Sequence, residues 1–128
     1  MAELVFIDKV ADRAGVSAEV AQTLTEATLV TLARRISGGE AADLADRMPD
    51  QLRPFLVKAT EPAESFPPQE FVNRVAESSG VDRLTAERGV VGVLRAMRDV
   101  VGQHEFEDML SQLPKEFRAL AAGVPMPF

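Results

Sequence analysis

An internal repeat constrains the fold of this chain more than any other feature of the sequence. Shifted by 65 residues, the sequence matches itself without a gap from Phe6 to Arg53, and apolar positions fall on apolar positions. The matched pairs include Phe6 and Phe71, Val10 and Val75, Gly15 and Gly80, Leu32 and Met97, Ile36 and Val101, and Met48-Pro49 and Leu113-Pro114. A repeat at one fixed offset predicts two copies of one structural unit that stack to bury a common core.

Each copy has the apolar spacing of helices, as in the series Phe6, Val10 and Ala14. In the first copy we predict helices over about residues 3–14, 18–36 and 40–47, and a fourth short helix that begins at Pro49. Gly15 should end the first helix in the left-handed conformation. Ser17 should be the N-cap of the second helix, and its counterpart Asp82 should have the same role in the second copy. We expect Ser37-Gly38-Gly39 to end the second helix.

These patterns predict an all-α fold: a tandem pseudo-repeat of two four-helix units packed into one compact helical domain. The first unit should span 1–57 and the second 68–121, with a proline-containing linker at 58–67 and a tail at 122–128 that is not helical throughout. Docking of the two apolar faces should complete one core, lined by Phe6, Val10, Leu24, Leu32, Ile36, Phe71, Val75, Met97 and Val101.

Composition and charge exclude several classes of function. The net charge is −6 and aromatic residues make up 5% of the chain, so binding to nucleic acid is not expected. The absence of cysteine excludes disulfides and thiolate metal sites. No apolar run is long enough for a membrane span, and the N-terminal residues lack the pattern of a secretory signal. We therefore expect a cytoplasmic protein that does not bind membranes.

Several short sequence blocks resemble those of a known bacterial family. In the first copy these blocks are F-x-x-x-V-A-x-x-x-G-V, G-G-E-A-x-D-L and M-P-x-x-L-R-P-F, and in the second E-F-V-N-R-V-A, F-E-D-M-L-S-Q-L-P and F-R-A-L. The chain resembles, from about Leu4 to Leu120, the family catalogued as domain of unknown function 2267. The resemblance implies a compact all-helical bacterial protein and implies no activity. One departure is Arg47-Met48-Pro49, where the second copy has the more typical Gln112-Leu113-Pro114.

Repeated charged residues form the best polar constellation in the sequence, and they are Glu40, Asp43 and Arg53 with their counterparts Glu105, Asp108 and Arg118. Two carboxylates three residues apart share a helix face and could bind a cation. The structural interpretation is favoured, because acidic residues stabilise a helix start and an arginine from the next element can pair with one of them. Likewise, Arg34 and Arg35 should stabilise the C-terminal end of the second helix.

Other candidate motifs carry little chemistry. His104, the single histidine, is expected in an exposed loop or capping position, and its counterpart Gly39 shows that the framework does not require it. Gly38-Gly39 lacks the lysine and Ser/Thr of a phosphate loop.

We expect no catalytic residue, no metal and no cofactor. The favoured function is a non-catalytic protein-binding or scaffold module that contacts another protein or a second copy of itself. The alternative is a small-ligand or metal-binding protein, with its site at the repeated Glu/Asp positions or between the two units.

The core assignment predicts the effect of removing one aromatic side chain. Phe71→Ala should lower the free energy of unfolding by about 3–5 kcal/mol, because it removes buried apolar surface and leaves a cavity. Chemical denaturation of the wild-type and variant proteins measures this difference. A loss of less than about 1 kcal/mol would contradict the assignment.

Overall fold

The computed structural model describes residues 2–57 and 63–124, and the elements within these ranges are helical, with no strand. In chain order they are α1 (Ala2–Ala14), α2 (Ala18–Arg35), α3 (Gly38–Arg47), a 310 helix (Asp50–Leu56), α4 (Pro68–Ser79), α5 (Arg83–Val101), α6 (Gln103–Leu110) and α7 (Glu116–Ala121). The all-α prediction is confirmed. None of the helices in these ranges is both long enough and apolar enough to cross a membrane.

The helix boundaries follow the local signals at the junction between the first two helices of each half. Gly15 and Gly80 both have a φ of +69°, the left-handed conformation that ends a helix without a Cβ clash. The N–H of Val20 donates to Ser17 Oγ at 3.2 Å, and the N–H of Thr85 donates to Asp82 Oδ1 at 2.7 Å. These caps are the predicted ones, and they set where α2 and α5 begin.

Three local predictions were wrong. Gly38 and Gly39 are the first residues of α3, because Ser37 already serves as its N-cap. Pro49 precedes its short helix instead of opening it, and that helix is of the 310 type. The His104 side chain is exposed, as predicted, but the residue belongs to the first turn of α6 and does not lie in a loop. In each case the helix begins directly after its N-cap residue, which is Ser37, Pro49 or Gly102.

The core is shared between the two halves of the chain. Helix α1 packs most extensively against α5, and α2 packs against both α4 and α5. Each half therefore covers apolar faces that belong to the other half. All nine predicted core residues are buried, including Phe6 and Phe71, which are 2% and 1% exposed. The rings of Phe71 and Phe117 pack edge to face with their centroids 5.4 Å apart, which joins α4 to α7.

The segment that precedes α4 is held against α2. Phe66 is buried, and its carbonyl oxygen accepts a hydrogen bond from Arg35 Nε at 2.9 Å. The guanidinium of Arg74 lies over the Phe66 ring, 3.9 Å from its centroid. Arg35 is thus a buried anchor of the predicted linker, beyond its expected role at the end of α2. Residues 58–62 of that linker and residues 125–128 of the predicted tail lie outside the described residues.

Residues that match each other in the repeat also meet in space where α2 crosses α5. Leu24 lies against Gly89, its counterpart at the 65-residue offset. The helices in the second half also follow the same order as those in the first. That the two halves form equivalent pseudo-symmetric units, with the boundaries given above, stays a prediction.

Two glycines of α5 provide a test of how tightly the halves pack. A Cβ at Gly89 would lie 2.8 Å from Leu24 Cδ1, whereas a Cβ at Gly92 would lie 3.5 Å from its nearest neighbours on α1. Gly92→Ala should raise the free energy of unfolding by up to about 1 kcal/mol, since alanine favours a helix and the space is sufficient. Gly89→Ala should be less stable than Gly92→Ala by about 1–3 kcal/mol, because Leu24 is fully buried and cannot move aside freely. Equal stability of the two variants in urea denaturation would contradict this packing.

Candidate functional site

The first turns of α3 and α6 approach each other and bring two glutamates together. Glu40 is the third residue of α3, Glu105 is the third residue of α6, and the two match at the 65-residue offset. Both residues are 8% exposed. Glutamate at this position of a helix is favoured by the partial positive charge of the N-terminal backbone amides. Here two such residues share one small volume between the helices.

The capping arrangement of α3 leaves the Glu40 carboxylate available for this contact. Ser37 and Glu40 have the spacing of a capping box, in which the glutamate side chain returns to the serine N–H. In this structure the N–H of Glu40 donates to Ser37 Oγ at 3.1 Å, but the N–H of Ser37 donates to Gln112 Oε1 at 2.8 Å. Gln112 therefore takes the place of the Glu40 carboxylate at the helix cap.

The Glu40 side chain points instead into a cluster of carboxylates, which we call the acidic cluster: Glu40, Asp43 and Glu105. One oxygen from each of these three residues lies within 4.8 Å of the other two. Asp43 is exposed, and the two glutamates are buried. The Oε2 atom of Glu40 is buried and has no hydrogen-bond partner. A buried carboxylate oxygen without a donor is costly, and it requires a proton, a cation or another compensating group.

The charge of the cluster is only partly balanced by protein groups. Burial raises the pKa of Glu40 from 4.5 to about 7, and the adjacent Glu105 carboxyl adds to the rise, followed by the charges of Asp43 and Asp108. Arg47 Nε donates to Glu105 Oε1 at 3.2 Å, and this guanidinium is half exposed. One arginine cannot neutralise several carboxylates at this spacing. Without a bound cation, the cluster is therefore most stable when Glu40 holds a proton and donates it to Glu105.

The repeated arginines of the predicted constellation do not join the acidic cluster. Arg53 forms an ion pair with Asp50 at 3.3 Å and donates to the backbone oxygens of Met48 and Asp46. Arg118 forms an ion pair with Glu107 at 2.6 Å, and so connects α7 to α6 through a different acid from the predicted one. The sequence indicated Glu40, Asp43 and Glu105, which the structure brings together, and it missed Arg47 and Gln112.

Asp108 and His104 lie on α6 beside the cluster. The charge of Asp108 acts on Glu40, and Asp108 Oδ2 is 3.6 Å from His104 Nε2. The His104 side chain is 94% exposed, so neither burial nor a fixed orientation strengthens its contact with Asp108. His104 is thus a surface residue at the edge of the site.

Comparison with known proteins identifies the family. The model of the family described as an uncharacterized conserved protein, domain of unknown function 2267, matches residues 5–120. The chain belongs to this family. No curated protein matches the chain. The domain of unknown function 2267 family brings no assigned reaction or ligand, so the chemistry of the site is argued from its own residues.

The raised pKa of Glu40 predicts a pH dependence of stability. Between about pH 4.5 and 7 the folded protein holds a proton that the unfolded chain has lost, so the free energy of unfolding falls as the pH rises. The slope from this one group is at most about 1.4 kcal/mol per pH unit. Glu40→Gln keeps the shape of the side chain and removes the titration. This variant should therefore gain stability relative to the wild type between about pH 5 and 8 in a metal-chelating buffer.

Urea denaturation across this pH range measures the effect. Glu77→Gln is the matched control, because Glu77 is an exposed glutamate at the C-terminal part of α4. The control should follow the wild-type pH dependence. If Glu40→Gln also followed it, the proposed protonation of Glu40 would be wrong.

Proposed function

We propose that this protein is a non-catalytic binding protein for a divalent cation, held by the acidic cluster between α3 and α6. The single observation that carries the proposal is the buried Oε2 of Glu40, which has no hydrogen-bond partner and belongs to a carboxylate clustered with those of Glu105 and Asp43. An ion at this position would add positive charge to that of Arg47, the cation that pairs with the cluster among the described residues. It would also connect the two halves of the chain, through Glu40 and Asp43 of the first half and Glu105 of the second.

The ligand atoms define the class of cation. Carboxylate oxygens are preferred by the hard ions Ca²⁺, Mg²⁺ and Mn²⁺. Ca²⁺ binds oxygen at about 2.3–2.6 Å, so oxygens on opposite sides of the ion are about 4.6–5.2 Å apart. Mg²⁺ binds at about 2.0–2.1 Å, which brings opposite oxygens to about 4.0–4.2 Å. Oxygen separations of up to 4.8 Å lie within the range found around Ca²⁺ and exceed the range around Mg²⁺, so Ca²⁺ is the first ion to test.

A shared proton is the competing explanation for the same geometry. A proton on Glu40 satisfies the pair with Glu105 but gives no role to Asp43, whose carboxylate completes the three-oxygen set. A cation uses all three carboxylates. The two explanations therefore differ in the effect expected from a change at Asp43.

Calcium titration of the purified, chelator-treated protein tests the proposal. At about pH 8, where Glu40 is mostly ionised, isothermal titration calorimetry should show one binding site, and Ca²⁺ should raise the melting temperature by several degrees. Glu40→Gln and Asp43→Asn should each weaken binding about tenfold or more, since each removes a charged ligand. Asp108→Asn should have a smaller effect, because Asp108 acts on the cluster through its charge. Asp46→Asn is the control, an exposed carboxylate on the same helix.

Absence of binding by Ca²⁺, Mn²⁺ and Mg²⁺ at this pH would refute the proposal, as would equal binding by the wild type and Asp43→Asn. A protein-binding or scaffold role would then be the remaining proposal. Its support is the apolar side chains exposed on the described surface, among them Leu4, Val5 and Val100.

A further inference from the structure

A shallow groove lies next to the acidic cluster, where the N-terminal half of α1 meets the C-terminal parts of α3 and α5. Its volume is about 380 Å³. The apolar residues that define it are Val5, Phe6, Met48 and Val100. Phe6 and Met48 are each 2% exposed and form the floor, whereas Val5 and Val100 are 56% and 40% exposed and form the walls. The groove therefore presents apolar surface to solvent on both sides of a closed base.

The charged side chains that line the groove, Lys9 and Arg47, are both basic. Lys9 Nζ is 3.7 Å from Asp99, and Arg47 Nε is bonded to Glu105. Among the described residues each side chain thus has one acidic partner, whereas each has several donors. The Lys9 and Arg47 side chains are 44% and 56% exposed. They can therefore accept an additional anionic partner from solvent without breaking the fold.

We propose that this groove binds a single-chain organic anion, with an alkyl chain on the Phe6 and Met48 floor and a carboxylate between Lys9 and Arg47. The apolar lining accounts for the chain, and the two basic side chains account for the charge of its head group. The proposal does not require a cation in the acidic cluster, although Arg47 also bonds to Glu105 of that cluster.

The size of the groove favours a small ligand over a protein. Small-molecule sites have volumes of about 300–1,000 Å³ and combine apolar walls with a few placed polar groups. A stable protein interface takes about 20–30 residues from each side. The groove is lined by few residues and lies within the first range. A basic rim also opposes a cationic amphiphile of the same length, which provides a matched probe.

Calorimetric titration with decanoate, below its micelle-forming concentration and in the presence of a chelator, tests the proposal. Decanoate should bind saturably at one site. Decyltrimethylammonium, whose alkyl chain is one methylene longer and whose charge is opposite, should bind at least about tenfold more weakly. Val100→Asp should weaken decanoate binding about tenfold or more, since it places a carboxylate in the groove wall. Lys9→Gln should weaken it severalfold.

Leu84→Asp is the matched control for Val100→Asp. Leu84 is an exposed apolar residue at the other end of α5, 55% exposed, and the change should leave decanoate binding as in the wild type. Thermal melts monitored by circular dichroism establish that each variant is folded. If Val100→Asp is unfolded, Lys9→Gln decides the question.

Three outcomes would overturn the proposal: no saturable decanoate binding, equal affinity for the two amphiphiles, or equal loss of affinity in Val100→Asp and Leu84→Asp. Because the titration is done without free divalent cation, its failure leaves the proposed cation site untouched. Conversely, a failure of calcium binding leaves this result standing.

Discussion

The packing of α1 on α5, and of α4 on α2, is the interaction on which the rest of the structure depends. Each of these pairs joins one half of the chain to the other, so neither half closes a core by itself. Phe6 and Phe71 lie at matched positions in α1 and α4, and burial of each contributes about 1.5–3 kcal/mol relative to exposure. The close contact of Leu24 with Gly89 lets α2 and α5 pass near each other at the centre. The helices that follow α2 and α5 are positioned by this arrangement.

The acidic cluster is a consequence of that shared core. Helices α3 and α6 follow α2 and α5 after short connections, so the crossing of the long helices brings their first turns together. Each first turn carries a glutamate at its third position, where an isolated helix would be stabilised by it. Once the two turns meet, the same residues face each other and repel. A feature that is favourable in each helix alone is thus unfavourable in the pair, and a site for a positive charge results.

Arg47 connects the two surfaces to which we assign binding. Its Nε bonds to Glu105 at the edge of the acidic cluster, and its guanidinium also lines the apolar groove. Its counterpart in the repeat is Gln112, whose Oε1 accepts from the Ser37 N–H and so frees Glu40 from the helix cap. The one place where the first copy departs from the Gln-Leu-Pro pattern is therefore also the place where the two surfaces meet. Both surfaces therefore depend on Arg47 and Gln112, a pair of counterparts that differ between the copies, as well as on residues that the copies share.

The sequence alone determined the helical class, most helix boundaries and the core. It did so because these depend on local signals: caps such as Gly15 and Ser17, and apolar spacing such as that of Phe6 and Val10. It also identified Glu40, Asp43 and Glu105 as candidates, through their recurrence. Only the tertiary structure decided that Glu40 faces Glu105, that Arg53 and Arg118 bond elsewhere, and that Arg35 is buried against Phe66. The contacts of Glu40 with Glu105, of Arg118 with Glu107 and of Arg35 with Phe66 join residues of different elements. Their partners are set by how the helices cross, which no local pattern encodes.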